Sequence, residues 1–203
     1  MSKLTATPLR PLLLVEDEPA ARVALARSLE RAGHSVVACE GVDDALGALG
    51  HQLPSVAVID VVLGKNEHGG LDVLRALRSR SPSVPTVMVT AFADVARVKA
   101  ALNLGASHLL EKPFRALELL PIVDHLLATS GDPAAAVADV FARASLTQRE
   151  AEVALLAVKG LPSPEIAGVL AISEKTVRQH LSRVYEKIGV SGRGELMHLL
   201  FPV

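Results

Sequence analysis

Glu16, Asp17, Asp60, Thr90 and Lys112 each lie at or just beyond the end of a short apolar run in this 203-residue chain. Glu16 and Asp17 follow Leu12–Val15, Asp60 follows Val56–Ile59, Thr90 closes Thr86–Thr90, and Lys112 comes after Ser107–Leu110. Taken singly, each has a bland reading: a solvated or helix-capping acid, ordinary strand chemistry, a surface lysine. Joint placement at four run ends is far less ordinary. In open parallel α/β sheets ligands bind beyond the carboxyl ends of the strands, so parallel pairing of these runs would gather all five residues. Three carboxylates meeting there repel unless a cation joins them. A hard divalent ion such as Mg²⁺ fits, because it accepts oxygens from few protein groups together with water and phosphate. Asp60 is then a nucleophile toward a phosphoryl group. Metal and Lys112 would offset charge on the equatorial oxygens, and Thr90 would donate a hydrogen bond to one of them.

A second constellation lies near the other end. From Glu174 to Ile188, Val177, Leu181, Val184 and Ile188 recur at helical spacing and form a buried seam. Lys175, Arg178, Gln179 and Ser182 fall on the opposite side, flanked by Thr176, Arg183 and Lys187. These are donor types that pair with base edges and phosphates. A cationic helix alone is more often simply solvated. Here a preceding helix over Ser163–Leu170, joined by a tight turn at Ala171–Ser173, makes the layout helix-turn-helix.

The elements that must position these residues are legible. Strands are predicted at Leu12–Val15, Ser35–Ala38, Val56–Ile59, Thr86–Thr90 and Ser107–Leu110. Helices are predicted at Pro19–Ala32, Val42–Leu49, Leu71–Arg80, Val95–Leu104 and Arg115–Ala128. That alternation implies a doubly wound, flavodoxin-like α/β domain with five parallel strands in the order 2-1-3-4-5. Ser130-Gly131-Asp132-Pro133 breaks the pattern. An Ala-rich connecting helix is expected over Pro133–Ala144, and no strand signal remains beyond Leu146. Thr147-Gln148-Arg149-Glu150 reads as a capping box, Ser163 as an N-cap ahead of Pro164, Ser173 as a third cap, and Gly189 as a stop. The expected division is residues 10–129, a linker over 130–144, and a small all-α helix-turn-helix domain over 145–203.

Composition narrows the class. Half the residues are apolar and the net charge is −1, which argues against a basic tail coating nucleic acid but not against a local stripe. Four Phe, one Tyr and no Trp leave few stacking platforms for single strands, so duplex DNA is the better partner. Cys39 is the lone cysteine and reads as a small buried hydrophobe. The opening residues lack the apolar stretch of a signal peptide, and Leu12–Val15 is too short to span a bilayer; a cytoplasmic protein without membrane association is expected.

Leu13-Leu14-Val15-Glu16-Asp17-Glu18, Val58-Ile59-Asp60, Val89-Thr90-Ala91 and Glu111-Lys112-Pro113-Phe114 resemble the signature blocks of bacterial receiver domains. Leu146 to Glu150, Glu165-Ile166-Ala167, Ile172 to His180 and Lys187 to Val190 resemble the LuxR-type helix-turn-helix. Together they are similar to two-component response regulators of the NarL/FixJ type. The resemblance implies a phosphoryl group accepted on Asp60 from a histidine kinase, controlling DNA binding and transcription. It implies no enzyme activity beyond assisting that Mg²⁺-dependent transfer and its reversal. Asp17, Asp60 and the backbone carbonyl of Val62 would bind Mg²⁺ directly, with Glu16 acting mostly through water, and a cis peptide would precede Pro113. By the same likeness Arg178, Gln179 and Ser182 would read bases, while Lys175, Thr176, Arg183 and Lys187 would contact phosphates. A homodimer on phosphorylation would engage paired half-sites.

This chain departs from the family pattern in two places. Gly64 stands where receivers usually carry proline, and Gly64–Gly70 is about two residues longer than usual. Leu109 takes the place of the aromatic switch residue, so coupling to the distal face is expected to be differently built. Val62 and Phe92 are both apolar where polar residues would orient an attacking water; they either shield a phosphoryl group or merely pack. Two other readings stand beside the main one. A phosphorylation-independent regulator would use the first domain only as an interaction module. An aspartyl-nucleophile hydrolase is disfavoured, because Asp60-Val61-Val62 lacks a second acid two residues on.

Overall fold

The computed structural model describes residues 10–91, 95–128, 137 and 140–200, the side chain of His198 excepted. Phe92 and the Ser130–Pro133 break therefore lie outside the described residues, as does half of the expected connecting helix; residues 137 and 140–143 of it are helical.

Five parallel strands form one sheet in the order β2-β1-β3-β4-β5. They are β1 (Leu12–Val15), β2 (Val36–Cys39), β3 (Ala57–Asp60), β4 (Thr86–Thr90) and β5 (His108–Glu111). β1 and β4 have the predicted bounds, while β2, β3 and β5 each begin and end one residue later. β1, β3 and β4 are buried along their whole length, which is why they read as continuous apolar runs rather than alternating ones. The register sets Ile59 beside Val15, Val89 beside Asp60, and Glu111 beside Thr90, so the polar residues emerge along one edge of the sheet.

Helices α1 (Pro19–Arg31) and α5 (Ala116–Ala128) cover one face, their Leu29, Leu119, Val123 and Leu126 packing on Leu12, Leu14, Val58 and Val89. Helices α2 (Val42–His51), α3 (Gly69–Arg80) and α4 (Val95–Asn103) cover the other, with Leu74, Leu77 and Val98 against Leu13, Ile59 and Met88. Arg78 of α3 ties this side together, donating to the carbonyls of Val84 (2.7 Å), Leu104 (3.1 Å) and Gly105 (2.8 Å). The Lys112–Pro113 peptide is cis, as the resemblance implied.

The remaining described elements are helical: α6 (Gln148–Val158), α7 (Ser163–Leu170), α8 (Glu174–Ile188) and α9 (Arg193–Leu200). The capping box forms as predicted. Thr147 Oγ1 accepts from the Glu150 amide at 3.3 Å and Glu150 Oε2 from the Thr147 amide at 2.8 Å. Ser173 caps α8 through the Thr176 amide, and Gly189 ends it at φ 82°, the left-handed region that favours glycine. Ser163 is not a cap. It is the first helical residue, Pro162 holds the cap position, and no side chain bonds back there. Val153, Ala157 and Ile166 bury toward α8, while Ala154, Val158, Val184 and Leu196 enclose a second small core with Phe141. No described helix is long and apolar enough to cross a membrane.

The helical domain closes the edge of the sheet. The Leu109 amide of β5 donates to the Lys159 carbonyl at 2.8 Å, in the turn between α6 and α7. The next residue, Gly160, has φ 99°, and a Cβ there would come within 2.2 Å of the Leu109 carbonyl oxygen. Ala101, Ala106 and Leu109 share one apolar cluster with Leu161, Ile166 and Val177. His108 lies against Gly160, and burial, with Arg193 and His125 nearby, pushes its imidazole down to about 4. Replacing Gly160 with alanine therefore imposes a strained backbone and a steric clash at one point. Gly160→Ala is expected to cost more than about 1 kcal/mol and to speed hydrogen exchange at the Leu109 amide; an unchanged Leu109 rate would show that the contact does not hold in solution.

Candidate functional site

The strand ends bring together what the sequence placed on separate runs. Asp60 closes β3, Glu16 and Asp17 follow β1, and one carboxylate oxygen from each lies within 4.8 Å of the others. Glu16 is 2% exposed and Asp60 7%, while Asp17 is half-buried. Pairs of carboxylates at that separation repel by about 3–4 kcal/mol at an effective dielectric constant of ~20. Lys112 offsets part of this. Its ammonium donates to Asp60 Oδ2 at 2.5 Å and to Glu16 Oε2 at 2.9 Å. Burial alone would lower the lysine pKa, but these two bonds outweigh it and hold the ammonium above its ordinary value. Burial raises the Asp60 pKa, against the pull of Lys112 and of the Val62 amide, which donates to Asp60 Oδ1 at 3.1 Å.

Backbone geometry does the rest of the positioning. Arg22 of α1 donates to the carbonyls of Glu16 (2.7 Å) and Asp17 (3.1 Å), fixing the turn after β1. The Lys112 amide donates to the Thr90 carbonyl at 2.8 Å, which sets β4's last residue beside the lysine. Thr90 is buried at that end. Gly70 must lack a side chain, because a Cβ there would fall 1.9 Å from the Asp60 carbonyl oxygen. The donor set passes a chemical test for a hard divalent cation: three carboxylates converge and one ammonium offsets only one of their charges.

The Gly64–Gly70 segment also reaches the site. The Gly64 amide donates to Asp17 Oδ2 at 3.0 Å. Length and glycine content marked the segment as unusual in the sequence; its docking on Asp17 carried no sequence signal. Leu109 is 1% exposed and packs into the cluster shared with the helical domain.

On α8, Lys175, Arg178, Gln179, Ser182 and Arg183 are exposed, and Thr176 is half-buried beside its cap. The first domain docks through α7 and the preceding turn, which leaves this face open. Arg178 pairs with Glu174 one turn back along the same helix. Lys187 is differently engaged: its ammonium donates to Glu150 Oε2 at 2.7 Å and to the Ser145 carbonyl at 3.3 Å. That pairing first, then the Thr147 amide, holds Glu150 at about 2, well below the usual carboxylate range. The sequence marks Glu150 as half of a capping box and Lys187 as a phosphate contact, but carries no sign of their union. Glu165, in the first turn of α7, has Oε2 buried without a hydrogen bond; burial and the nearby Glu111 raise its pKa.

A depressed carboxylate contributes stability that is full above its unfolded value near 4.5 and is lost as pH falls toward about 2. Glu150→Gln is expected to remove about 1–3 kcal/mol from the helical domain at neutral pH. It should also flatten the fall in thermal midpoint expected of the natural protein between pH 4.5 and 2; an equally steep fall in the variant would assign the acid sensitivity elsewhere.

Comparison with known proteins agrees with this geometry. Residues 12–124 match the response regulator receiver domain, and residues 144–200 match the LuxR family of bacterial regulatory proteins. The transcriptional regulatory protein TdiR of Thauera aromatica is 32% identical over 193 residues, spanning 93% of this chain and 84% of that protein. The transcriptional activator protein ExaE of Pseudomonas putida is 32% identical over 203 residues, 93% of this chain and 94% of that protein. Among solved structures, full-length FixJ from B. japonicum superposes with a TM-score of 0.55 at 27% identity, over 95% of this chain and 96% of its own. The chain thus belongs to the two-component response regulators that join a receiver domain to a LuxR-type DNA-binding domain and control transcription.

Proposed function

We propose that a histidine kinase phosphorylates this regulator on Asp60 and that the modification controls how α8 engages duplex DNA. The observation that carries the reading is the convergence of Asp60 with Glu16, Asp17 and the Lys112 ammonium at the carboxyl ends of β1, β3 and β5. Asp17, Asp60 and the backbone carbonyl of Val62 would hold Mg²⁺, with Glu16 acting through water. Bound there, the ion would neutralise charge on the transferring group. Asp60 is the nucleophile; Lys112, already bonded to it, stays within reach of the phosphoryl oxygens. Thr90 donates to one of these oxygens once the group is in place. Phosphorylation adds about −1.5 to −2 charges to a pocket that Lys112 only partly balances, so Thr90 and Lys112 are drawn inward and β5 moves with them. The activated form dimerises in the cytoplasm and sets two helical domains on half-sites about one helical turn (~34 Å) apart.

The alternative, a regulator that works without phosphorylation, is favoured by one observation: the Gly64 amide already occupies Asp17 Oδ2, a prospective ligand oxygen. Treatment with a small phosphodonor and Mg²⁺ separates the two readings. The natural protein is expected to acquire acid-labile phosphate and Asp60→Asn none, since the amide is near-isosteric but neither nucleophilic nor anionic. Unmodified natural protein would support the alternative, and phosphate on Asp60→Asn would place the acceptor elsewhere.

For DNA, Arg178, Gln179 and Ser182 are the base readers, with Lys175, Thr176 and Arg183 on phosphates. Lys187 serves the fold through Glu150 rather than the DNA. In binding-site selection, Arg178→Ala should relax preference at one position at a cost of about 1–3 kcal/mol. Lys187→Ala should lower domain stability without altering preference or the salt dependence of the folded fraction. A uniform loss across all sequences for Arg178→Ala would remove it from the base-reading set.

A further inference from the structure

The segment between β3 and α3 is a closed turn rather than an open loop. Leu63 and Asn66 exchange both backbone hydrogen bonds, at 3.1 and 3.0 Å, across Gly64 and Lys65. Gly64 has φ 60°, the left-handed conformation that a two-residue turn of this kind demands. The Asn66 carbonyl also accepts from the Gly69 amide at 3.1 Å, and its side chain from the His68 amide at 3.0 Å. The turn is pinned at two outer points. At one, the Gly64 amide bonds Asp17 Oδ2. At the other, Glu67 Oε2 meets Arg97 Nη2 of α4 at 2.6 Å, with the arginine side chain only 21% exposed. Two residues back on α4, Val95 packs on Gly168 of α7, 3.1 Å from where a Cβ would stand. A contiguous set of contacts thus runs from the acidic site to the helical domain without passing through Thr90 or Leu109.

We propose that this turn is a brace. Through Glu67 and Arg97 it holds α4 where α4 keeps the helical domain docked on β5, and through Gly64 it registers whether Asp17 is engaged by a cation. Only the input end rests on reading the acidic residues as a cation site. A divalent ion draws its carboxylate oxygens to about 2.0–2.1 Å, which competes with the Gly64 amide for Asp17 Oδ2. Because the turn is closed by its own hydrogen bonds, displacing Gly64 moves Glu67 with it. A partly exposed ion pair shifts an equilibrium by a few-fold only, so the brace biases docking rather than locking it. Its contacts lie beyond those that the receiver resemblance supplies, in the segment where this chain is longer.

The Leu109 amide reports docking directly, since its partner is the Lys159 carbonyl of the helical domain. The Leu13 amide, bonded to the Val56 carbonyl in the middle of the sheet, serves as the internal control. In the full-length protein, Glu67→Gln and Arg97→Gln are each expected to speed exchange at Leu109 about two- to fivefold, with Leu13 unchanged. The exchanged pair Glu67→Arg with Arg97→Glu should restore the original rate, which a merely local disturbance of α4 would not. Unaltered Leu109 exchange in both single variants overturns the brace. Mg²⁺ alone, with its binding followed by calorimetry in the same samples, should speed Leu109 exchange in the natural protein and not further in Glu67→Gln. A full Mg²⁺ response in Glu67→Gln overturns the brace as the route. Absence of Mg²⁺ binding overturns the cation reading instead, and the charge-pair variants then decide the brace by themselves.

Discussion

Strand β5 is the outer strand of a parallel sheet, and an outer strand presents a row of backbone groups that must be paired, covered or left to water. In this protein the helical domain covers it. One amide–carbonyl bond, Leu109 to Lys159, and a glycine with no room for a side chain bring the two domains into backbone contact. The apolar residues around that contact belong to a single cluster with the core of the first domain. Much of what distinguishes the molecule depends on this arrangement, because the same four-residue strand leads directly into Lys112. Chemistry at the lysine and docking at Leu109 are thereby two consequences of where one short strand sits.

Charge explains why that strand can act in this way. Three carboxylates and one ammonium share the pocket at the strand ends, so its electrostatic balance is incomplete within the protein itself. Lys112 is bonded to two acids that come from different strands, and any new anion on Asp60 changes the competition for it. Burial raises the pKa of the Asp60 carboxyl, and its bond to Lys112 works against that rise. Glu150 shows the opposite case. Its carboxylate accepts from the Thr147 amide and from Lys187 on the same oxygen, Oε2, and the result is a structural tie between the start of α6 and the end of α8.

The exposed outer face of α8 bears on how output is controlled. The first domain meets α7 and the turn before it, and Lys175, Arg178, Gln179, Ser182 and Arg183 remain exposed. Docking therefore does not bury the polar and cationic face of α8. What it does cover is β5 and the adjoining surface of α4, through Leu109 and Val95. A control that acts by freeing that surface fits the geometry better than one that acts by uncovering α8.

The strand order, the acidic cluster and the helix-turn-helix are all legible in the amino-acid sequence. Each follows from local chemistry: continuous apolar runs make buried parallel strands, polar residues at their ends converge, and Thr147, Ser173 and Gly189 mark helix limits through their own hydrogen bonds or backbone freedom. The short boundary shifts in β2, β3 and β5, and the mistaken cap at Ser163, arose where neighbouring residues satisfy the local rule equally well. The pairings of Lys187 with Glu150, of Glu67 with Arg97, of Gly64 with Asp17, and of Leu109 with Lys159 emerge only once the chain is folded. Their partners lie 30 or more residues apart. A charged side chain or a backbone amide has many equivalent partners at that separation, and packing of the intervening elements selects one.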